Sequence, residues 1–111
     1  MSSHDLLLHI LEEIEFLQRS SEGLEEPAFL RDEVLKRAFA RSLEIIGEAA
    51  KKLPAQFRLA HPDVEWRLLA GTRDKLIHDY FGVDYSIVWD IIKNEIPGLA
   101  EQVRNVLRNT P

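Results

Sequence analysis

The sequence predicts an all-α fold, an up-and-down bundle of four to five helices. Apolar residues recur every three or four positions in four long segments, which is the spacing of an amphipathic helix. No segment shows the sustained alternation of apolar and polar residues that a half-buried strand requires. A chain of 111 residues is long enough for one hydrophobic core and too short for two, so we expect a single domain over residues 1–111.

The first two predicted helices fill the first half of the chain. One runs from about His4 to Arg19, with Ser2 or Ser3 as a suitable N-cap. The next begins near Pro27, since proline is favoured in a first helical turn, and it reaches about Leu53. It would be roughly 40 Å long at 1.5 Å per residue.

The second half of the chain contains two more predicted helical segments. Residues 54–63 are expected to form a connector, and Val64 to Ile77 a third helix. Asp84 is a suitable N-cap for the fourth segment. Pro97 interrupts the register of that segment, so we expect either a kink or two short helices in line.

Composition excludes several classes of protein. Hydrophobic content of 45% with 30% charged residues is ordinary for a globular domain. The chain has no cysteine, which excludes disulfides, a thiolate nucleophile and Cys-based zinc sites. It shows neither an apolar run of membrane-spanning length nor a signal peptide, so we expect a cytoplasmic protein with no membrane association.

Charge is distributed unevenly along the chain, although the net charge is −5. Residues 1–50 carry five Lys and Arg against eleven Asp and Glu, whereas residues 51–78 carry six against three. An acidic protein with a local basic patch can still bind RNA, without strong long-range steering. A solvated basic helix face explains the charge pattern equally well.

The positive segment ends in the most distinctive residues of the sequence, Arg73, His78 and Tyr80. Arginine keeps its charge at physiological pH and can bind a phosphate through two parallel hydrogen bonds. Histidine can both accept and donate a proton near neutral pH. An arginine and a histidine that face one phosphodiester are close to the minimum needed to cleave RNA without a metal ion.

Helical geometry would separate the side chains of Arg73 and His78. On an unbroken helix, Arg73 shares an apolar stripe with several large residues, and His78 lies about 140° away from it. The other residues of the stripe are Trp66, Leu69, Leu76, Ile77 and Tyr80. A two-fold axis that brings two copies of the segment together would assemble a working pair, and it would cover the apolar stripe around Arg73.

Each of these residues also has a purely structural interpretation. Arg73 can pair with Glu44 or Glu48 on the long second helix. His78 is favourably placed near a helix C-terminus, and Tyr80 can simply fill the core with its hydroxyl at the rim.

A metal site has less support in the sequence. His9 and Glu13 form an i, i+4 pair that zinc could use, but no third ligand is evident and the HExxH signature is absent. The sequence also lacks a Gly-rich phosphate loop and a GxSxG elbow. We therefore expect neither a metal nor a cofactor.

The pattern Arg73-x4-His78-x-Tyr80 resembles the RX4HXY motif of the HepT toxins, a branch of the HEPN (higher eukaryotes and prokaryotes nucleotide-binding) superfamily. The resemblance covers essentially the whole chain, with further similar segments at 39–49, 61–66, 75–84 and 88–99. The R-x4-H pair alone is common by chance, whereas the tyrosine and the flanking segments make the match specific. Asp74 departs from the family, in which many members carry Asn after the arginine, and its carboxylate would oppose RNA binding.

The resemblance implies a dimeric all-α bundle with metal-independent endoribonuclease activity. His78 would act as general acid or base, and Arg73 would stabilise the phosphorane. The resemblance also implies a partner, an MntA-type nucleotidyltransferase antitoxin encoded beside the toxin. That enzyme would transfer AMP from ATP onto the motif tyrosine, here Tyr80, and so silence the nuclease.

Two other functions remain open at this stage. One is a non-catalytic nucleotide-binding or regulatory subunit of a nucleotidyltransferase complex, which loss of Arg73 or His78 would favour; both are present. The other is a plain helical dimer module, which predicts that the motif can be substituted without consequence.

Overall fold

Helices form almost all of the structure, a computed structural model that describes the backbone of residues 1–79 and 82–109 and their side chains except those of 72–79. The elements in chain order are α1 (Ser3–Ser21), α2 (Glu26–Arg31), α3 (Glu33–Lys52), α4 (Ala55–Ala60), α5 (Trp66–Leu76), β1 (Ile77–Asp79), β2 (Gly82–Val83), α6 (Tyr85–Asn94) and α7 (Ile96–Arg108). The predicted all-α class is confirmed.

The core lies between the long helices. α3 packs against α1 on one side and α5 on another, and α1 also packs against α7. Phe29 of the short helix α2 is fully buried and stacks on Phe39 of α3, with ring centroids 5.2 Å apart. It also contacts Trp89 of α6 at 5.2 Å. These aromatic contacts join α2, α3 and α6 in one cluster.

The N-terminal cap of α1 is Ser2, one of the two candidates from the sequence. The Ser2 hydroxyl accepts a hydrogen bond from the backbone N–H of Asp5 at 3.1 Å, and the Asp5 carboxylate accepts one from the N–H of Ser2 at 3.4 Å. The hydrogen bonds from Ser2 lower the pKa of the Asp5 carboxyl, because they favour its charged form.

The long second helix of the prediction is divided in two at Asp32. Its carboxylate accepts a hydrogen bond from the backbone N–H of Leu35 at 2.9 Å, which makes Asp32 the N-cap of α3. A continuous helix from Pro27 to Leu53 was therefore wrong, because a side-chain cap at Asp32 satisfies a donor of the second helix. Pro27 lies in the first turn of α2, and α3 ends before Pro54, as expected.

The predicted connector and the fourth predicted helical segment also differ in detail from the structure. Residues 55–60 of the predicted connector form α4. The fourth segment is divided into α6 and α7 at Glu95, and Pro97 lies in the first turn of α7. The chain therefore forms two helices here rather than one kinked helix. Proline has no N–H for a helical hydrogen bond, and its ring clashes with the preceding turn of a continuous helix. These divisions raise the number of helices in the described part of the chain to seven.

The described residues also contain a short antiparallel pair of strands, which the sequence did not predict. β1 pairs with β2 through Ile77 opposite Val83 and Asp79 opposite Gly82. Gly82 has a φ of +97°, a conformation that favours glycine. Strands of two and three residues are too short to show alternation in a sequence.

Across residues 1–79 and 82–109, no helix is long and apolar enough to cross a membrane.

The backbones of α3 and α5 approach each other closely at Gly47. A Cβ atom at this position would lie 3.1 Å from the backbone oxygen of Leu69 and 3.6 Å from that of Ala70. The absence of a side chain therefore allows the two helix backbones to approach, as expected for a glycine inside a helix.

We expect Gly47→Val to destabilise the fold by about 1–3 kcal/mol, because its side chain would push α5 away from α3. For Gly47→Ala we expect little change, since a gain of about 1 kcal/mol in helix propensity opposes the tight Cβ contact. Gly98→Ala is the control: no described atom lies within 4 Å of its added Cβ, so we expect a gain of about 0.5–1 kcal/mol. Urea unfolding measures all three, and wild-type stability of Gly47→Val would contradict the proposed contact.

Candidate functional site

The N-terminal end of α5 is anchored to α4. The indole Nε1 of Trp66 donates hydrogen bonds to the backbone oxygens of Arg58 at 3.1 Å and His61 at 2.9 Å. The Trp66 side chain is almost fully buried, and its ring contacts Phe57 edge-on. Because both acceptors are backbone atoms, this anchor fixes the start of α5 relative to the chain that precedes it.

The next turn of α5 is fixed by its packing against α3. Leu69 is 1% exposed, and its backbone lies against Gly47. Two members of the predicted apolar stripe, Trp66 and Leu69, are thus buried in the core of their own chain. Little of either side chain is therefore left for a second copy to cover, contrary to the expectation from the sequence.

The motif extends across the junction between α5 and β1. Arg73 lies on α5, whereas His78 lies on β1, two residues after the helix ends at Leu76. The angle of 140° applies only to an unbroken helix that includes residue 78, whereas α5 ends at Leu76. That angle therefore does not apply to Arg73 and His78 in this structure.

The helix that follows the hairpin begins with a strong cap. The Asp84 carboxylate accepts hydrogen bonds from the backbone N–H groups of Ser86 at 3.0 Å and Ile87 at 3.3 Å. Asp84 is therefore the N-cap of α6, as predicted. Val88 of α6 is fully buried, so the segment after the motif is attached to the core within one turn.

The side-chain positions of the predicted site lie outside the described residues. This applies to the side chains of Arg73 and His78 and to all of Tyr80. The two acids proposed as structural partners of Arg73 both interact with Arg41, whose guanidinium lies 3.2 Å from Glu44 and 3.6 Å from Glu48.

His9 and Glu13 interact with different partners in the structure. The Glu13 carboxylate accepts a hydrogen bond from the Ser42 hydroxyl at 2.8 Å, which directs it toward α3. The Nδ1 of His9 lies 4.0 Å from the carboxylate of Glu12 instead. Among the side chains that the structure describes, no group of three or more His, Asp or Glu residues could hold a metal ion.

A surface cavity of about 310 Å³ between α4 and α5 is not evident from the sequence. It is lined by Ala55, Arg58, Leu59, Trp66 and Arg67. The positive charge of residues 51–78 and the arginines on both sides of Trp66 are its only signals in the sequence. Their convergence depends on α4, which the sequence alone did not predict.

The chain matches the family model described as "Ribonuclease HepT-like" over residues 10–106. This range includes α5, both strands and the whole Arg73-x4-His78-x-Tyr80 motif.

Several curated proteins are similar over nearly their full length. A protein of Caldanaerobacter subterraneus subsp. tengcongensis named "Putative RNase" is 55% identical over 102 residues, which cover 92% of this chain and 91% of the relative. A Thermococcus cleftensis protein named "Probable ribonuclease HepT" is 44% identical over 98 residues, covering 88% and 89%. A "Putative RNase" of Methanocaldococcus jannaschii is 39% identical over 103 residues, covering 93% and 85%.

No solved structure matches the chain significantly. The family match over most of the sequence and the identity to these relatives, together with the all-α fold and the position of the motif at the α5–β1 junction, lead to one conclusion. The chain belongs to the HepT-like ribonuclease family.

Proposed function

We propose that this protein is a ribonuclease toxin that cleaves RNA without a metal ion. The observation that carries the proposal is the family match over residues 10–106, which contains the complete RX4HXY motif. The names of the relatives describe RNases, and these proteins align with the chain over most of their own length. The positive charge of the segment before His78 is consistent with a polyanionic substrate.

The proposed reaction is an intramolecular transesterification. The RNA 2′-hydroxyl attacks the adjacent phosphorus, and the 5′-oxygen of the next nucleotide leaves. His78 accepts or donates the proton, a role that contributes about 10²–10⁴-fold when the group is well placed. Arg73 stabilises the additional negative charge on the phosphorane. The product on the 5′ fragment is a 2′,3′-cyclic phosphate.

The proposed regulation acts on Tyr80. A nucleotidyltransferase antitoxin of the MntA type would transfer AMP from ATP to the tyrosine hydroxyl. Each AMP adds bulk and at least one negative charge close to Arg73 in the sequence, where it would compete with substrate phosphate.

We also propose that the active form is a homodimer. The helical angle between Arg73 and His78 no longer supports this assembly, because the two residues lie on different elements. The proposal depends instead on the resemblance to the HepT toxins.

We expect Arg73→Ala and His78→Ala each to reduce RNA cleavage by at least about 10²-fold, because each removes one of the two chemical roles. Cleavage of a fluorescently labelled RNA measures the effect, and circular dichroism should show unchanged helicity. Wild-type cleavage should persist in EDTA. Retained activity of His78→Ala, or loss of wild-type activity in EDTA, would show that the assigned chemistry is wrong.

Sedimentation equilibrium should give about twice the chain mass of 12.8 kDa at micromolar concentration. The expected reason is that two copies of the motif segment contribute to one substrate cleft. A monomer at tens of micromolar with full cleavage activity would contradict a shared site.

Modification of Tyr80 should add mass in AMP-sized steps when the protein is incubated with its transferase, ATP and Mg²⁺. The modified protein should lose ribonuclease activity. Tyr80→Phe should keep much of the activity and resist silencing, since the phenol has no role in the proposed chemistry. Tyr85 is the internal control, and label on Tyr85 in peptide mass spectra would argue against the assignment.

A further inference from the structure

The surface cavity between α4 and α5 combines apolar and cationic groups. Leu59 is 80% exposed and Trp66 is 7% exposed, and both line the cavity. Arg58 and Arg67 line the same space. The cavity therefore places a water-exposed apolar side chain, Leu59, beside two guanidinium groups.

Neither arginine is neutralised by a described acid. Arg37 is paired with Glu33 at 2.6 Å and Arg41 with Glu44 at 3.2 Å. By contrast, no carboxylate among the described residues lies within 4 Å of the guanidinium of Arg58 or Arg67.

Arg58 also carries an unsatisfied donor. Its Nε atom is buried and has no hydrogen-bond partner among the residues that the structure describes. A buried donor without a partner carries an energetic penalty.

The charge of the segment that contains the cavity is positive on balance. Residues 51–67 contain four Lys and Arg against two acidic residues. Lys51 and Lys52, at the end of α3, are both exposed. The local potential therefore favours an anion.

We propose that this cavity is a second contact site for the RNA substrate, in which one nucleotide binds outside the cleavage centre. Arg58 and Arg67 bind phosphate oxygens, and the base rests against Leu59 and Trp66. Single-stranded RNA is commonly held in this way, by arginines on the backbone and apolar or aromatic surface against the bases. The inference rests on the proposed ribonuclease function and adds to it a substrate-binding site.

The position of the cavity suits this role. Arg67 and Arg73 lie six residues apart on α5, a rise of about 9 Å along the helix axis. An RNA strand that runs along α5 from the cavity to the motif would therefore need only a few nucleotides to span this distance. The site would act on binding rather than on the chemical step, because it lies away from the reacting phosphate.

The test measures the affinity for a fully 2′-O-methylated RNA 12-mer, which cannot be cleaved, by fluorescence anisotropy over a range of salt concentrations. We expect the Arg58→Ala/Arg67→Ala double variant to bind about tenfold more weakly. Its slope of log Kd against log salt should be smaller by about 1.4, which corresponds to two lost phosphate contacts on a single strand. Leu59→Ser should weaken binding without changing the slope.

The matched control is Arg37→Ala/Arg41→Ala, which removes the same charge from two arginines that are paired with glutamates. We expect its RNA affinity to stay within about twofold of the wild type. If the double variant of the cavity fails to fold, Arg67→Glu replaces it, because Arg67 is exposed. This charge reversal should weaken binding at least as strongly.

The outcomes separate this inference from the proposed function. Arginine-dependent binding of the methylated RNA supports the inference even if the wild type cleaves no RNA, which would refute only the proposed function. If the wild type cleaves RNA but the cavity variants bind it as tightly as the control does, the inference is wrong and the nuclease function stands. Unchanged RNA binding with lost binding to the purified antitoxin would also overturn it, and would assign the cavity to an acidic protein surface.

Discussion

The close approach of α3 and α5 determines the position of everything that follows in the chain. This approach is possible because Gly47 has no side chain. A Cβ atom at this position would lie only 3.1 Å from the backbone oxygen of Leu69. The hydrogen bonds from Trp66 to the backbone of Arg58 and His61 fix the helix one turn earlier. Together these contacts give α5 two points of attachment before the chain reaches Arg73. A binding or catalytic group gains precision when a rigid element carries it.

The change from helix to strand at Leu76 has a consequence for the proposed chemistry. Groups on a single helix keep a fixed angular separation, and five residues place two side chains far apart around the axis. A strand that starts between them removes this constraint, so the backbone no longer requires a second copy of the chain to bring an arginine and a histidine together.

Charge pairing divides the surface into two kinds of region. On α3 and α7 the arginines are mostly within 4 Å of glutamates, so that their field outside the protein is weak. The α4–α5 region has a positive balance, and its two cavity arginines have no described acid beside them. An acidic protein can therefore attract RNA to one face without binding it along the rest of its surface. The net charge of −5 would limit non-specific binding.

Sequence alone determined the helical class, the caps at Ser2 and Asp84 and the breaks near the prolines, because these depend on local patterns of apolar spacing, side-chain caps and missing N–H groups. The motif and its family were also evident from the residues, and the family match confirmed the latter. The break at Asp32, the helix α4, the hairpin at the end of α5 and the cavity beside Trp66 were not. The break at Asp32 is a local side-chain cap that the apolar spacing of the segment did not reveal. The other three depend on contacts between residues that are distant in sequence or on elements too short to show a period. The packing of α5 against α3 and α4 decided which residues meet at the cavity beside Trp66.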